Sequence, residues 1–369
     1  MSMRSIREFV RHFSAAMVLA AFTVSDVAGA NGAQPDSQIV SREIQSQKFG
    51  QNKIGVSPIR KLQVYLPAGY ESSHGRYPVI YFLPSPFESY RAVYEQHHAQ
   101  GLFDQAIQGG VIGKFILVTV DMTTPLGCSW YLNSPVTGNW EDFMVQELVP
   151  YVDANFRTLP SRDSRGIAGD FMGGYGAIRF GMTHPEVFGS VYALHPVGTG
   201  SGLLTMYSRP DWDLLANAKS LDDVRKDGFS TIFTSIYQAH LPNPDKPPLY
   251  IDLQARKDGD TYVVDAAATQ RLRESFFLEA MIPKYADNLK SLRGLKLDWA
   301  RSDGNQDHVY SNQAFTHKLN EYGIQHEAEE YNGVWGSGNW GQDGRIYTDV
   351  LPFFQKHLVF QSSGAAGGH

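Results

Sequence analysis

Hydrophobic residues fall in short, almost continuous runs that alternate with longer stretches of helical period. The runs predict buried strands, and residues 78–83 are nearly all apolar, as in a strand covered on both faces. Residues 140–156 predict a helix with Phe143, Leu148 and Val152 on one side, and residues 347–358 predict a closing amphipathic helix. The remaining predicted strands are 61–66, 115–122, 165–169, 190–194, 295–300 and 326–331. This alternation predicts an α/β fold with a mostly parallel, doubly wound sheet.

Three segments interrupt the alternation. Residues 31–58 are polar and poorly periodic, which predicts a lead-in to a domain at 59–359. Residues 199–247 contain scattered aromatics, among them Trp212, Phe229 and Tyr237, without a clear period. They are interpreted either as a cap-like insertion over the sheet or as an ordinary surface excursion. Residues 360–369 are rich in Gly, Ala and Ser and predict a disordered tail.

Residues 1–30 have the pattern of a signal peptide. Arg4, Arg7 and Arg11 precede a short apolar run at 14–24, and a small-x-small cleavage pattern follows at 28–30. A short membrane anchor is the alternative. A periplasmic or secreted protein is therefore expected, with no membrane partner after cleavage. The net charge of −6 is spread along the chain without a basic cluster, which argues against a nucleic-acid partner.

The most informative stretch is the predicted strand at 165–169 and the turn that follows it. The turn reads Gly169-Asp170-Phe171-Met172-Gly173, which has the Gly-x-nucleophile-x-Gly spacing of a nucleophile elbow. Such a turn is strained and closely packed, so both glycines are needed. The glycine spacing of the elbow is present, but the residue at the nucleophile position is Phe171, which has a benzyl side chain.

Several motifs resemble an esterase family that includes feruloyl esterases, S-formylglutathione hydrolases and the mycolyltransferase antigens. The resemblance extends over about residues 55–359 and implies the α/β-hydrolase fold and a Ser-His-Asp triad. The matching segments are 131–142 (YLNSPVTGNWED), 167–169 (IAG), 172–177 (MGGYGA), 184–189 (HPEVFG) and 285–289 (YADNL).

The chain departs from the family pattern at three separate places. The resemblance implies a serine at Phe171 and a histidine at Trp335. It also implies a His-Gly-rich loop after the strand ending at Leu83, where this chain has Pro84-Ser85-Pro86-Phe87. Proline has no N–H, so the N–H of Met172 is the expected remaining donor to an oxyanion.

The acid of the implied triad is retained as Asp303, or as Asp307 if one residue is inserted. Because a buried carboxylate needs a donor, we predict that the Trp335 indole N–H donates to Asp303 or Asp307. Loss of serine or histidine alone from such a triad costs about a million-fold in turnover. The sequence therefore predicts that the standard mechanism is absent.

Other histidines are candidates for a catalytic or metal-binding role. His195 ends a predicted strand at the edge where catalytic groups gather, and His308 adjoins Asp307. A catalytic and a structural role are both open for His195. No metal is expected, because His97, His98, His195 and His308 lack metal-binding spacing, and no cofactor is expected.

Three functions remain open. The first is a non-catalytic protein that binds a carbohydrate, phenolic or acyl small molecule in an aromatic cleft. The second is an acid–base enzyme, such as a lyase, isomerase or cyclase, that uses His195 with Asp303, Asp307 or His308. The third is residual ester hydrolysis through Cys128 or Ser129. The candidate ligand-binding residues are Trp130, Tyr131, Phe171, Trp212 and Trp335.

Overall fold

An eight-stranded mixed sheet forms the centre of the molecule. The computed structural model describes residues 36–85, 88–200, 209–336 and 338–361, so the predicted signal peptide lies outside the described residues. The sheet has the order β1-β2-β4-β3-β5-β6-β7-β8; β2 is antiparallel to β1 and β4, and the other neighbours are parallel. Its strands are β1 Gln38–Gln45, β2 Ile59–Leu66, β3 Val79–Leu83, β4 Ile116–Val120, β5 Arg165–Asp170, β6 Ser190–Leu194, β7 Gly294–Ala300 and β8 Glu327–Tyr331.

Helices cover both faces of the sheet, and each face has its own cluster of buried apolar side chains. The helices are α1 Ala92–Glu95, α2 Ala99–Gln108, α3 Trp140–Asp142, α4 Val149–Asn155, α5 Met172–Thr183, α6 Trp212–Asn217, α7 Leu221–Val224, α8 Gly228–His240, α9 Ala266–Phe276, α10 Leu278–Lys290, α11 Gln306–Glu321 and α12 Leu351–His357. Widened π-helical turns at Phe143–Leu148 and Ile346–Val350 lead into α4 and α12. Within the described residues, no helix is both long and apolar enough to span a bilayer. The predicted doubly wound α/β class is confirmed.

Most predicted strands are present, and residues 31–58, predicted as a lead-in, contain the additional strand β1. This strand pairs along its whole length with β2 at the edge of the sheet. Seven of its eight residues are exposed or half-buried, so it lacks the apolar run by which the central strands were recognised. The predicted tail also begins too early: Phe360 packs beside Gly113, and Gln361 accepts a hydrogen bond from the Arg76 N–H.

The segment predicted as an insertion forms three helices, α6 to α8, in its described part. It is attached to the loop after β4 by two buried hydrogen bonds. The Trp130 indole donates to the Ser235 hydroxyl at 3.0 Å, and the Ser134 hydroxyl donates to the Gln238 carbonyl at 2.6 Å. The segment therefore packs onto the loop that carries the 131–142 motif.

Two glycines allow β5, α5 and β3 to approach one another closely. A Cβ atom on Gly173 would lie 1.9 Å from the Leu83 carbonyl oxygen, and one on Gly169 would lie 2.3 Å from the Gly173 backbone. These separations are far below van der Waals contact and involve backbone atoms, which cannot move aside independently. The strand-turn-helix geometry therefore depends on glycine at both positions.

We predict that Gly173→Ala lowers the free energy of unfolding by about 3 kcal/mol, because α5 would have to move away from β3. Gly228→Ala is the matched control: no atom lies within 4 Å of the added Cβ atom, at the first residue of α8. That change should leave stability equal or raise it by about 0.5 kcal/mol. Urea denaturation followed by circular dichroism measures both, and equal effects would contradict the packing argument.

Candidate functional site

Phe171 lies on the tight turn between β5 and α5, at the carboxyl edge of the sheet. Its backbone has φ 58° and ψ −110°, a conformation that L-residues rarely adopt. Its N–H donates to the Leu194 carbonyl at 2.9 Å, which attaches the turn to the end of β6. The ring is 8% exposed and faces the side chains of the loops that follow β6, β7 and β8.

Among the described residues, three rings lie around Phe171. The Trp335 ring centroid is 4.2 Å from that of Phe171, His308 is 5.2 Å away edge-on, and His195 is 6.3 Å away and nearly parallel. The Phe171–Trp335 pair adds about 0.5–1.5 kcal/mol beyond the burial of its area, as pairs among Phe, Tyr and Trp do. The floor of the site is therefore an aromatic cluster.

Two residues of this cluster have a strained backbone. Positive φ values occur at Phe171 (58°) and His195 (41°), and neither residue is glycine. Each such conformation costs about 1–3 kcal/mol and persists where the surroundings impose it. Strain of this kind is typical of functional sites.

The Trp335 indole forms a hydrogen bond with a different carboxylate from those predicted. Its Nε1 donates to Asp170 Oδ1 at 3.3 Å, whereas Asp303 or Asp307 was expected to be the acceptor. Asp170 ends β5, immediately before the turn, and faces the loop that follows β8. Burial raises the pKa of Asp170 to about 7, and the indole hydrogen bond offsets part of this rise.

Asp303 is held by three N–H donors. Its Oδ2 lies 2.7 Å from His195 Nε2 and 2.7 Å from His308 Nδ1, and its Oδ1 accepts from the Asn305 N–H at 2.7 Å. Burial opposes ionisation, but the hydrogen bonds from His195 and His308 outweigh it and hold the pKa of Asp303 well below its usual value. Asp307 instead pairs with Arg209. Asp303, and not Asp307, is therefore the acid that contacts both histidines beside the elbow.

His195 has no nitrogen left to accept a proton. The Ala300 N–H donates to His195 Nδ1 at 2.9 Å, so the ring proton lies on Nε2, which donates to Asp303. Burial, which outweighs the hydrogen bond to Asp303, lowers the pKa of His195. His195 is therefore a neutral residue that orients Asp303, and the general-base role considered for it has no lone pair to use.

His308 is also bonded through both nitrogens. Its Nδ1 faces Asp303, and Asn305 Nδ2 donates to its Nε2 at 2.9 Å. The orientation of the Asn305 amide follows from Arg209, whose guanidinium lies 3.4 Å from Asn305 Oδ1. An Asp–His pair is therefore present beside the turn, with the outer nitrogen of the histidine occupied by an amide.

The same three side chains are candidate metal ligands, although the sequence predicted no metal. One ligand atom from each of His195, Asp303 and His308 lies within 4.8 Å of the other two. A metal on His195 Nε2 would require that nitrogen to lose its proton and Nδ1 to gain one. That proton would point at the Ala300 N–H. The geometry therefore fits a hydrogen-bonded cluster better than a metal centre.

Sequence comparisons find relatives among esterases. The Esterase family model matches residues 58–238. Two esterases from strains of Mycobacterium tuberculosis are 25% identical over 295 residues, which cover 78% of this chain and 54% of theirs. An endo-1,4-beta-xylanase/feruloyl esterase of Xylanibacter ruminicola is 31% identical over 130 residues, covering 34% of this chain and 18% of that protein. The chain thus spans about half the length, or less, of the curated relatives it matches.

Solved structures that share this fold are also named as esterases or related hydrolases. A ferulic acid esterase superposes with a TM-score of 0.57 at 19% identity, covering 88% of this chain and 99% of that chain. An S-formylglutathione hydrolase from Agrobacterium tumefaciens has a TM-score of 0.56 at 16% identity, covering 89% and 98%. The chain belongs to an esterase family of α/β-hydrolase fold. The resemblance inferred from the sequence motifs is confirmed.

In this esterase-family chain, a pocket with room for about one water molecule lies at the carboxyl edge of β3 and β4. Its lining includes Ser85, Glu88, Tyr90, Asp121, Cys128 and Tyr131. Met172 begins α5, so its N–H has no acceptor within the helix and points out of its first turn. Donor groups and a pocket are therefore present at the edge of the sheet where the family's chemistry takes place.

Of the five predicted ligand-binding residues, Tyr131 lines this pocket and the other four do not. Trp130 is 1% exposed and packs edge-on against Tyr175 and Phe276, and Trp212 is 3% exposed and stacks on Tyr237. Both are packed among other aromatic side chains, so their predicted role as pocket walls is corrected. Phe171 and Trp335 form the aromatic cluster at the elbow.

The two proposed substitute nucleophiles are poorly suited to attack. Burial raises the pKa of the Cys128 thiol to about 12, so the thiolate is scarce at neutral pH. The Ser129 side chain is almost fully buried, and its hydroxyl accepts from the Tyr131 N–H at 3.4 Å. A histidine is not among the hydrogen-bond partners that the structure gives for either group.

Sequence reasoning missed several residues at the site. Ser85, Glu88 and Asp121 line the pocket, and Asn305 occupies the outer nitrogen of His308. The sequence could have indicated these residues, because they follow β3, β4 and β7. Side chains that follow parallel strands meet at one edge of a sheet.

Asp170→Asn tests the electrostatics of the site. Because the folded pKa of Asp170 lies above its unfolded value, its stabilising contribution is complete at low pH and is lost as pH rises through about 7. Wild-type protein should therefore lose about 1 kcal/mol of unfolding free energy at this group between pH 6 and pH 8. Urea titrations at both pH values should show that loss in wild type and a smaller one in Asp170→Asn. An identical slope in the two proteins would contradict the assignment.

Asp303→Ala should be strongly destabilising, because it leaves the N–H donors of His195, His308 and Asn305 without their acceptor. We expect a loss of about 2–4 kcal/mol in unfolding free energy. Asp222→Ala removes a carboxylate that is 80% exposed and pairs with Arg225, so it should change stability by less than about 0.5 kcal/mol. Chemical denaturation measures both losses of unfolding free energy. Equal losses would show that the hydrogen bonds of Asp303 stabilise the fold no more than an exposed ion pair does.

Proposed function

We propose that this esterase-family protein binds a small molecule at the carboxyl edge of β3 and β4 without hydrolysing esters by a serine mechanism. The observation that carries the proposal is the occupation of the elbow by Phe171, whose ring packs 4.2 Å from that of Trp335. Neither a benzyl nor an indole group can attack a carbonyl or accept a proton from a nucleophile. In this proposal the fold of the family is retained, whereas Phe171 and Trp335 stand where the family resemblance implies a serine and a histidine.

The hydrogen bonds of the remaining polar groups support the same conclusion. His195 and His308 use both ring nitrogens, and Asp303 accepts from both of them. A general base needs an accessible lone pair within about 3 Å of the proton it removes. Activation of a hydroxyl or water here would first require one of these hydrogen bonds to break.

The proposed ligand is a phenolic compound or a carbohydrate. Tyr90 and Tyr131 supply aromatic surface to this pocket, which has room for about one water molecule and must therefore widen for a ligand to enter. A structural neighbour is named as a ferulic acid esterase, which suggests phenolic compounds as first candidates. The signal-peptide pattern at 1–30 supports a periplasmic or secreted location for this binding function.

An acid–base enzyme is the second candidate, and one observation favours it. Burial raises the pKa of Asp170 to about 7, which is suited to proton transfer at neutral pH. Against it, the Asp170 carboxylate is bonded to Trp335 and lies on the elbow cluster. A bell-shaped pH–rate profile that Asp170→Asn abolishes would favour this candidate over simple binding.

Exposure to a fluorophosphonate probe and to a series of p-nitrophenyl esters tests the main proposal. We expect no labelled serine and no turnover above buffer, because the elbow has no hydroxyl. An active feruloyl esterase in the same assay is the positive control. Any labelled serine, or hydrolysis that Asp303→Asn removes, would show a working nucleophile and defeat the proposal.

A further inference from the structure

His240 is a buried histidine with one ring nitrogen that has no hydrogen-bond partner among the described residues. It ends α8, the last helix of the segment predicted as an insertion, and is 7% exposed. Its Nδ1 lies 3.2 Å from Ser275 Oγ, and the Ser275 hydroxyl donates its own proton to the Arg271 carbonyl at 2.9 Å. The imidazole proton therefore lies on Nδ1, and Nε2 is unprotonated.

The His240 ring belongs to an aromatic cluster that joins α8, α9 and α5 to the loop after β4. The Phe276 ring on α9 lies 5.1 Å from that of His240 and 5.1 Å from that of Trp130, measured between centroids. The Tyr175 ring on α5 lies edge-on to both, at 6.4 Å from His240 and 5.4 Å from Trp130. His240 and Trp130 therefore pack against the same two rings.

The charged group that acts on His240 is Arg179 of α5. The Arg179 guanidinium donates to the Ser275 carbonyl at 3.4 Å and lies 3.8 Å from Glu141, which also contacts His184. From α9, the groups that contact His240 are Ser275 and the Phe276 ring, which carry no charge. Burial, reinforced by Arg179, holds the pKa of His240 well below its ordinary value. A positive charge on His240 is therefore unfavourable while α8 packs on α5.

The loop at 130–131 connects this cluster to the pocket. The Trp130 indole donates to Ser235 of α8 at 3.0 Å, and the next residue, Tyr131, lines the pocket. Both loop residues have positive φ, 58° at Trp130 and 59° at Tyr131, and neither is glycine. Such conformations cost about 1–3 kcal/mol each and persist only where the surroundings impose them. Movement of α8 away from α5 would therefore release a strained wall of the pocket.

We propose that α8 and the loop at 130–131 form a lid on the pocket, and that uptake of a proton by His240 releases this lid from α5. The closed lid leaves room for about one water molecule, and its movement with Tyr131 is the widening that a ligand requires. A protonated Nε2 would be a buried donor without an acceptor beside Arg179, so the charged form favours the open lid, where water reaches the ring. This inference rests on the proposed binding function and adds its regulation by pH.

The pH range of the opening follows from the two environments of His240. In the open lid the ring contacts water and titrates near the ordinary histidine pKa of about 6.5, whereas in the closed lid its pKa lies well below that value. The closed lid is therefore fully stable above about pH 6.5 and loses stability as pH falls below it. Because one proton is taken up, the open fraction should rise about tenfold between pH 7.5 and pH 5.5.

The thiol of Cys128 reports the opening. It is the one cysteine of the chain, lines the pocket, is 4% exposed, and accepts from the Trp130 N–H at 3.3 Å. Its rate of reaction with 4,4′-dithiodipyridine, divided by the rate in urea-unfolded protein at the same pH, gives the open fraction. Urea denaturation at each pH gives the globally unfolded fraction. We expect the open fraction to exceed the unfolded fraction and to rise about tenfold from pH 7.5 to pH 5.5.

Three variants locate the effect. His240→Asn keeps a donor in place of Nδ1 but takes up no proton, so the ratio of the open fractions at pH 5.5 and pH 7.5 should fall from about ten to below two; His240→Gln gives the same test if His240→Asn does not fold. His317→Gln removes an exposed histidine from α11 and should leave the ratio at about ten. Ser235→Ala removes the acceptor of the Trp130 indole, so it should raise the open fraction at least threefold at both pH values without changing the ratio.

The outcomes separate the lid from the binding function. An open fraction that does not change with pH, or a ratio near ten in both His240 variants, would overturn the proton-driven release. Reaction of Cys128 no faster than global unfolding allows would overturn the lid itself. The thiol assay needs no ligand, so a protein that opens as expected but binds no methyl ferulate at either pH would overturn a phenolic ligand and leave the lid standing.

Discussion

The close approach of the elbow to the neighbouring strand is the constraint on which the rest of the site depends. Gly173 lies against the Leu83 carbonyl, and Gly169 lies against Gly173, so β5 and α5 have one way to join. That junction forces residue 171 to a φ of 58° whatever its side chain. The backbone geometry that displays a nucleophile is therefore independent of the presence of one. Phe171 stands at the position where this geometry would present a nucleophile, and the rings of Trp335, His308 and His195 pack around it.

The proposed replacement of the reacting groups would change the hydrogen bonds that the site must satisfy. An acid that would hold one histidine instead accepts from His195, His308 and the Asn305 backbone, and the three donors keep it ionised. A second carboxyl, Asp170, receives the indole N–H of Trp335. Each polar group in the cluster thus has a partner of matching type, which is the condition for burying it without a large cost. The arrangement is stable as a structure, and for the same reason it has little capacity for proton transfer.

The parts that the sequence predicted are those that depend on local pattern. The apolar runs at β3 and β6 mark buried strands directly, and the Gly169-to-Gly173 spacing marks the elbow. β1 was missed because an edge strand with exposed side chains has no apolar pattern. The acceptor of Trp335 was missed because it depends on how the loop after β8 lies over the end of β5, which is a tertiary contact. Trp130 and Trp212 were misassigned for a related reason: an aromatic residue in a loop looks the same in sequence whether it lines a pocket or packs inside.

The two buried groups with shifted pKa values give the site a preferred pH range. Burial lowers the pKa of His195 below its ordinary value of roughly 6.5, so protonation of His195 at lower pH favours the unfolded chain. Burial raises the pKa of Asp170 to about 7, so its ionisation at higher pH also favours the unfolded chain. At pH 7, His195 is neutral and Asp170 is about half-ionised, whereas Asp303 stays ionised throughout the neutral range because His195 and His308 hold its pKa low.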